Sequence, residues 1–167
     1  MRKKKLGKKL PLQLAEEQAQ STWALGNSYE SAAIQLIREN KPKIFIPTLV
    51  LFLHALELYL KAFLFVQHCT NSNLCSIGHD LVLCMRECCK YGLSKHVKLT
   101  RSAILQVIRV NRYYSDKELE YYIVPRNKRF GSIDTLAETV SIVAKGIGEF
   151  IVEKSFKAIQ EEKRWLL

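Results

Sequence analysis

Residues 44–66 read IFIPTLVLFLHALELYLKAFLFV, an apolar run long enough to cross a bilayer. His54, Glu57 and Lys61 interrupt its middle and C-terminal half. A Glu or Lys near a bilayer centre costs about 2.5–3.5 kcal/mol each on insertion scales. The run therefore reads as a helix buried in the core of a bundle, and no membrane association is expected. The three polar residues are spaced i, i+3 and i+7, so they share one helix face. Glu57 precedes Lys61 by four, the favourable order for an ion pair. Buried charges need partners. Two readings follow: a packed polar cluster that fixes helix register, or an acid–base site built on His54 and Glu57.

Outward from this helix, the rest of the 167 residues is ordinary for one globular domain, with 48% hydrophobic and 25% charged residues. Only seven glycines and four prolines argue against an all-β fold. The prediction is an all-α antiparallel bundle of about five helices spanning 12–167, preceded by a basic arm over 1–11. A first helix is expected over 12–39, and a second from Pro47, placed in its first turn, to about residue 67. A polar loop, HCTNSNLCSIGHD, follows. Ser76 or Asp80 caps a third helix that ends at Gly92. A fourth runs from Ser94 or Val97 through Leu119, with Leu99, Ala103, Ile104, Val107, Ile108 and Tyr114 on its inward stripe. A loop over 121–131 leads to a final helix over 133–162, ending near Trp165. Gly146 and Gly148 in that helix are read as points of close helix approach.

The net charge of +10 is uneven. Arg2, Lys3, Lys4, Lys5, Lys8 and Lys9 precede the first acid, Glu16. From Arg86 to Arg112, seven basic residues face only Glu87. Such an excess is either a solvated face or a phosphate-contacting one. Five cysteines, at 69, 75, 84, 88 and 89, with no secretory leader ahead of them, point to a reduced, cytoplasmic setting.

The strings HALELYLKAFL (54–64), GHDL (78–81) leading into LVLCMRECCKYGL (81–93), and RVNRYYSDKELEYYIVP (109–125) resemble, in order and spacing, the HEPN family of RNA-associated and defence proteins. The resemblance covers most of residues 20–150. It implies an up-and-down helical bundle, a homodimer, and a polar network shared by Glu57, Lys61 and His79, which His54 joins by its place on the same face. Catalytic members carry an Arg followed after four to six residues by a His. None of His54, His68, His79 and His96 has an Arg at that distance upstream. Lys90 and His96 come nearest, but Lys lacks the planar fork that Arg offers a phosphate. The resemblance thus implies a noncatalytic module that associates with itself or a partner. Its alternative is a divergent metal-independent ribonuclease using Arg109 or Arg112 with His54, or the toxin of a toxin–antitoxin pair with a nucleotidyltransferase or another effector protein as partner.

Arg101, Arg109, Asn111, Arg112, Tyr113 and Lys117 form a basic and aromatic stretch suited to RNA, arginine taking phosphate and tyrosine stacking on a base. The plainer account packs Tyr114 and its neighbours inward and leaves the cations in water. Cys75, His79, Cys84 and Cys88 lie near helical spacing but lack the paired knuckles of a structural zinc site, so no metal is expected. No cofactor motif is present: GIGE at 146–149 has neither the G-x-G-x-x-G nor the Walker pattern.

Overall fold

The computed structural model describes residues 11–39, 45–119 and 130–164, without the side chains of residues 12, 159 and 161–164. The basic arm apart from Pro11, most of the expected 121–131 loop and Trp165 lie outside the described residues. Among the described residues, six α-helices and one short 3-10 turn make up an all-α bundle: α1 (Leu12–Arg38), α2 (Phe45–Val66), α3 (Asn71–Ile77), α4 (Leu81–Lys90), the 3-10 turn Leu93–Lys95, α5 (Arg101–Ser115) and α6 (Ile133–Arg164).

Helix α2 is the centre. Fourteen of its 22 residues are buried, among them Phe52, Leu56, Leu60 and Phe63. It has the length and composition of a membrane span, yet α1, α4 and α6 pack around it and 78% of its most apolar window is buried. Pro47 occupies its first turn, where a missing N–H breaks no intrahelical bond.

Helix α1 runs antiparallel to α2, with Tyr29 beside His54 and Trp23 beside Tyr59. It also runs antiparallel to α6, where Trp23 Nε1 donates to the Ala144 carbonyl (3.0 Å) and Gln20 Nε2 donates to Ser155 Oγ (3.2 Å). Two glycines make the approach possible. A Cβ at Gly26 would lie 2.7 Å from the Tyr59 ring, and one at Gly148 would lie 2.8 Å from the Trp23 ring. The expected close helix approach holds for Gly148, whereas Gly146 lies against the backbone of His96 in the segment after the 3-10 turn, not against a helix.

Three expectations about the middle of the chain need correction. The polar stretch after α2 is not all loop. Thr70 and Asn73 form a reciprocal capping box that starts the two-turn helix α3, and Ser76 lies inside it rather than capping α4. Asp80 does cap α4, accepting from the Leu83 N–H at 2.9 Å. Gly92, left-handed at φ 85°, turns the chain after α4 as expected. The fourth expected helix is shorter than predicted. Thr100 caps α5 through the Ala103 N–H, and Leu93–Lys95 forms the separate 3-10 turn.

The third correction concerns the inward stripe of α5. Ala103, Val107, Val110 and Tyr114 are buried, within about 60° of arc at 100° per residue. Ile104 and Ile108 lie about 100–140° from Ala103 and are 38% and 48% exposed. Helix α5 is an outer helix packed on α4 and α6, so it buries one side, about 120° of arc from Tyr113 to Val107, and leaves Ile104 and Ile108 outside it. Buried Gln106 ties it to the start of α6, donating to the carbonyls of Phe130 (3.3 Å) and Ser132 (2.7 Å).

Candidate functional site

One carboxylate organises the polar side of the core. Glu57 on α2 has a side chain only 3% exposed and is met from three directions. Lys61, one turn along α2, donates to Oε1 at 2.5 Å. Tyr114, from α5, donates its hydroxyl to Oε2 at 2.6 Å. His79, from the α3–α4 connection, places Nδ1 3.0 Å from the same Oε2. His54 reaches the Tyr114 hydroxyl with its own Nδ1 at 3.0 Å and packs edge-on against Tyr29.

The directions of these bonds follow from donor counting. The Tyr114 hydrogen is committed to Glu57, so its oxygen accepts from His54 Nδ1–H. An ionised carboxylate only accepts, so His79 also donates through Nδ1. Burial pushes the Glu57 carboxyl up, but hydrogen bonds from Lys61, Tyr114 and His79 and the Lys61 charge outweigh it. The net pKa is lowered, so Glu57 stays a carboxylate and is a poor general acid. The two imidazoles keep a path to water, with side chains 30% and 39% exposed.

The structure therefore brings His54, Glu57, Lys61 and His79 together, and adds Tyr114, which the sequence places on the inward stripe of α5 and in its basic and aromatic stretch. Its hydroxyl gave no signal of its own, because its partners come from α2. Replacing Tyr114 by Phe removes a donor to Glu57 and the acceptor for His54. A loss of about 1–2 kcal/mol is expected, read as a lower urea midpoint at unchanged slope.

The residues named for RNA contact divide. Arg101, Arg109, Arg112 and Lys117 are exposed. Asn111 is not available: its Oδ1 accepts from the Leu81 N–H (2.7 Å) and its Nδ2 donates to Asp80 (3.0 Å), latching α5 to the start of α4. Tyr113 is only 8% exposed and its ring meets Phe130 edge-on at 5.4 Å, so it offers no platform to a base. Arg109 and Arg112 point about 140° and 160° away from Tyr114 around the helix axis. The weak catalytic candidates Arg109, Arg112 and His54 are thus split between opposite sides of α5. His96 packs against Phe150 at 4.2 Å and Lys90 pairs with Glu87 at 2.6 Å, so the nearest approximation to an Arg–His motif is engaged elsewhere.

Among the described residues no group of three or more His, Cys, Asp or Glu is placed to hold a metal ion. Cys75 is exposed on α3, while Cys84 and Cys88 are buried on α4. Burial pushes the Cys88 thiol up, and its Sγ–H donates to the Leu60 carbonyl. A large groove of about 750 Å³, between α1 and α6, is apolar and shares no residue with the Glu57 cluster. No protein-family model, no curated protein and no solved structure matches the chain.

Proposed function

We propose that the chain is a noncatalytic HEPN-like module that acts by association, with the outer face of α5 as its contact surface. One observation carries the noncatalytic part: the exposed arginines of α5 and the two imidazoles of the Glu57 cluster occupy opposite sides of that helix. Cleavage of a phosphodiester without a metal needs a proton carrier beside the group that holds the phosphate. Within one chain these two functions are separated, and the central carboxylate is saturated by three donors. Structured and single-stranded RNA incubated with the protein at neutral pH are expected to remain intact. Cleavage abolished by Arg112→Ala would instead establish the ribonuclease.

A second reading, RNA held on the exposed basic residues between Arg86 and Arg112, is favoured by charge. Arg86, Lys90, Lys95, Lys98, Arg101, Arg109 and Arg112 are all exposed, and among the described residues none of the three arginines of α5 is in an ion pair. On this reading affinity falls steeply with salt, and Arg109→Ala or Arg112→Ala each lowers the salt slope by about 1. A flat salt response removes it.

A further inference from the structure

The outer face of α5 carries more than charge. Ile104, Leu105 and Ile108 are 38%, 50% and 48% exposed, and their spacing makes them one contiguous patch. Scattered surface aliphatics are ordinary, but a joined apolar patch rimmed by polar groups marks a contact surface. Arg101 lies at one end of the patch, and Arg109 and Arg112 at the other. Helix α5 contains no Asp or Glu. The face runs from Arg101 to Arg112, about 16 Å or three helical turns.

Resting on the association reading above, we propose that this face docks an acidic amphipathic helix of another protein. That helix would present aliphatic side chains at i, i+3, i+4 and i+7 to Ile104, Leu105 and Ile108, with Asp or Glu on its flanks against the three arginines. Charge complementarity selects this occupant. A second copy is disfavoured because the arginines sit at both ends of the patch. An antiparallel pairing of α5 with itself brings Arg101 of one copy towards Arg109 or Arg112 of the other. A parallel pairing sets each arginine against its own equivalent. Like charges across a contact oppose it. RNA satisfies the arginines but leaves the aliphatic patch uncovered, and neither tyrosine of α5 offers the platform that unpaired bases favour, since Tyr113 and Tyr114 are buried. An acidic helix covers both kinds of surface at once.

The test uses the full chain and labelled helical peptides of about 14 residues. The first has leucine at i, i+3, i+4 and i+7 with flanking glutamates. The second has serine for the leucines, and the third has lysine for the glutamates. A single-stranded RNA of similar charge is the fourth probe. The leucine–glutamate peptide is expected to bind at least about tenfold more tightly than either altered peptide. Leu105→Ser with Ile108→Ser should weaken it about tenfold. Arg101→Glu with Arg109→Glu and Arg112→Glu should move the preference to the lysine peptide. These positions are exposed, and unchanged far-UV helicity verifies that each variant folds.

Equal binding of the serine peptide, or no peptide saturating below about 1 mM, overturns the proposal. So does RNA binding that is tighter than any peptide and indifferent to the serine substitutions. A dimer in sedimentation that the serine substitutions disperse assigns the face to a second copy instead. None of these results touches the noncatalytic reading, which falls only to RNA cleavage.

Discussion

Glu57→Ala is expected to cost the fold about 3–5 kcal/mol, the largest effect of any single polar substitution in this chain. The carboxylate is 3% exposed and accepts from Lys61, Tyr114 and His79. Its removal leaves a tyrosine hydroxyl buried without its acceptor and strands the Lys61 ammonium at a site 18% open to solvent. Against typical domain stabilities of about 5–15 kcal/mol, such a loss brings the variant close to unfolding, and chemical denaturation measures it directly. Glu57→Gln is the milder comparison, because it keeps the shape and one acceptor oxygen while losing the charge and the second acceptor.

The same site sets a pH signature. The Glu57 carboxyl titrates below its ordinary value of 4.5 in the folded chain, because the hydrogen bonds and the Lys61 charge outweigh burial. As pH falls, the unfolded chain takes up this proton first. The stabilisation is therefore complete well above about pH 4.5 and is lost as pH drops through the lower, folded value. The stability gap between the wild type and Glu57→Gln should be widest near neutrality and narrow in acid. A gap that stays constant down to pH 3 would show that the charge contributes nothing.

Gly146→Val should destabilise by about 3 kcal/mol, towards the upper end of overpacking costs. A Cβ at Gly146 would stand 2.5 Å from the His96 carbonyl oxygen and 2.9 Å from Val97 Cγ2. A backbone carbonyl cannot rotate aside as a side chain can. The segment after the 3-10 turn would have to move off α6, disturbing the contact of His96 with Phe150. Helix propensity pulls the other way, since glycine inside a helix costs about 1 kcal/mol relative to alanine. Gly146→Ala is therefore the sharper test of sign: propensity predicts a gain, while the short contact predicts a loss. A thermal midpoint raised by Gly146→Ala would reject the close approach.

The all-α architecture was legible in local pattern. The apolar run 44–66, the shortage of glycine and proline, and the stop at Gly92 each act through short-range chemistry that a sequence displays. The shared face of His54, Glu57 and Lys61 was equally legible, because spacings of three and four fix neighbours on one helix. His79 entered through the HEPN resemblance alone.

What stayed hidden depends on which helix covers which. The capping box at Thr70 and Asn73 reads as loop in the sequence because polar residues serve turns and helix starts alike. Asn111, Tyr113 and Tyr114 lie on one stretch of α5 and share a polar character. Packing sends Asn111 to the cap of α4, Tyr113 to Phe130 and Tyr114 to Glu57.

The sequence by itself determined the long helices, the buried central one among them, and the polar trio that it carries, because helical periodicity is a property of the local chain. Only the tertiary structure decided that Ile104 and Ile108 face outward, that Tyr114 completes the Glu57 network, and that the arginines of α5 turn away from the histidines. A helix with apolar residues around much of its circumference has several possible inward faces, and only the neighbours packed against it select one.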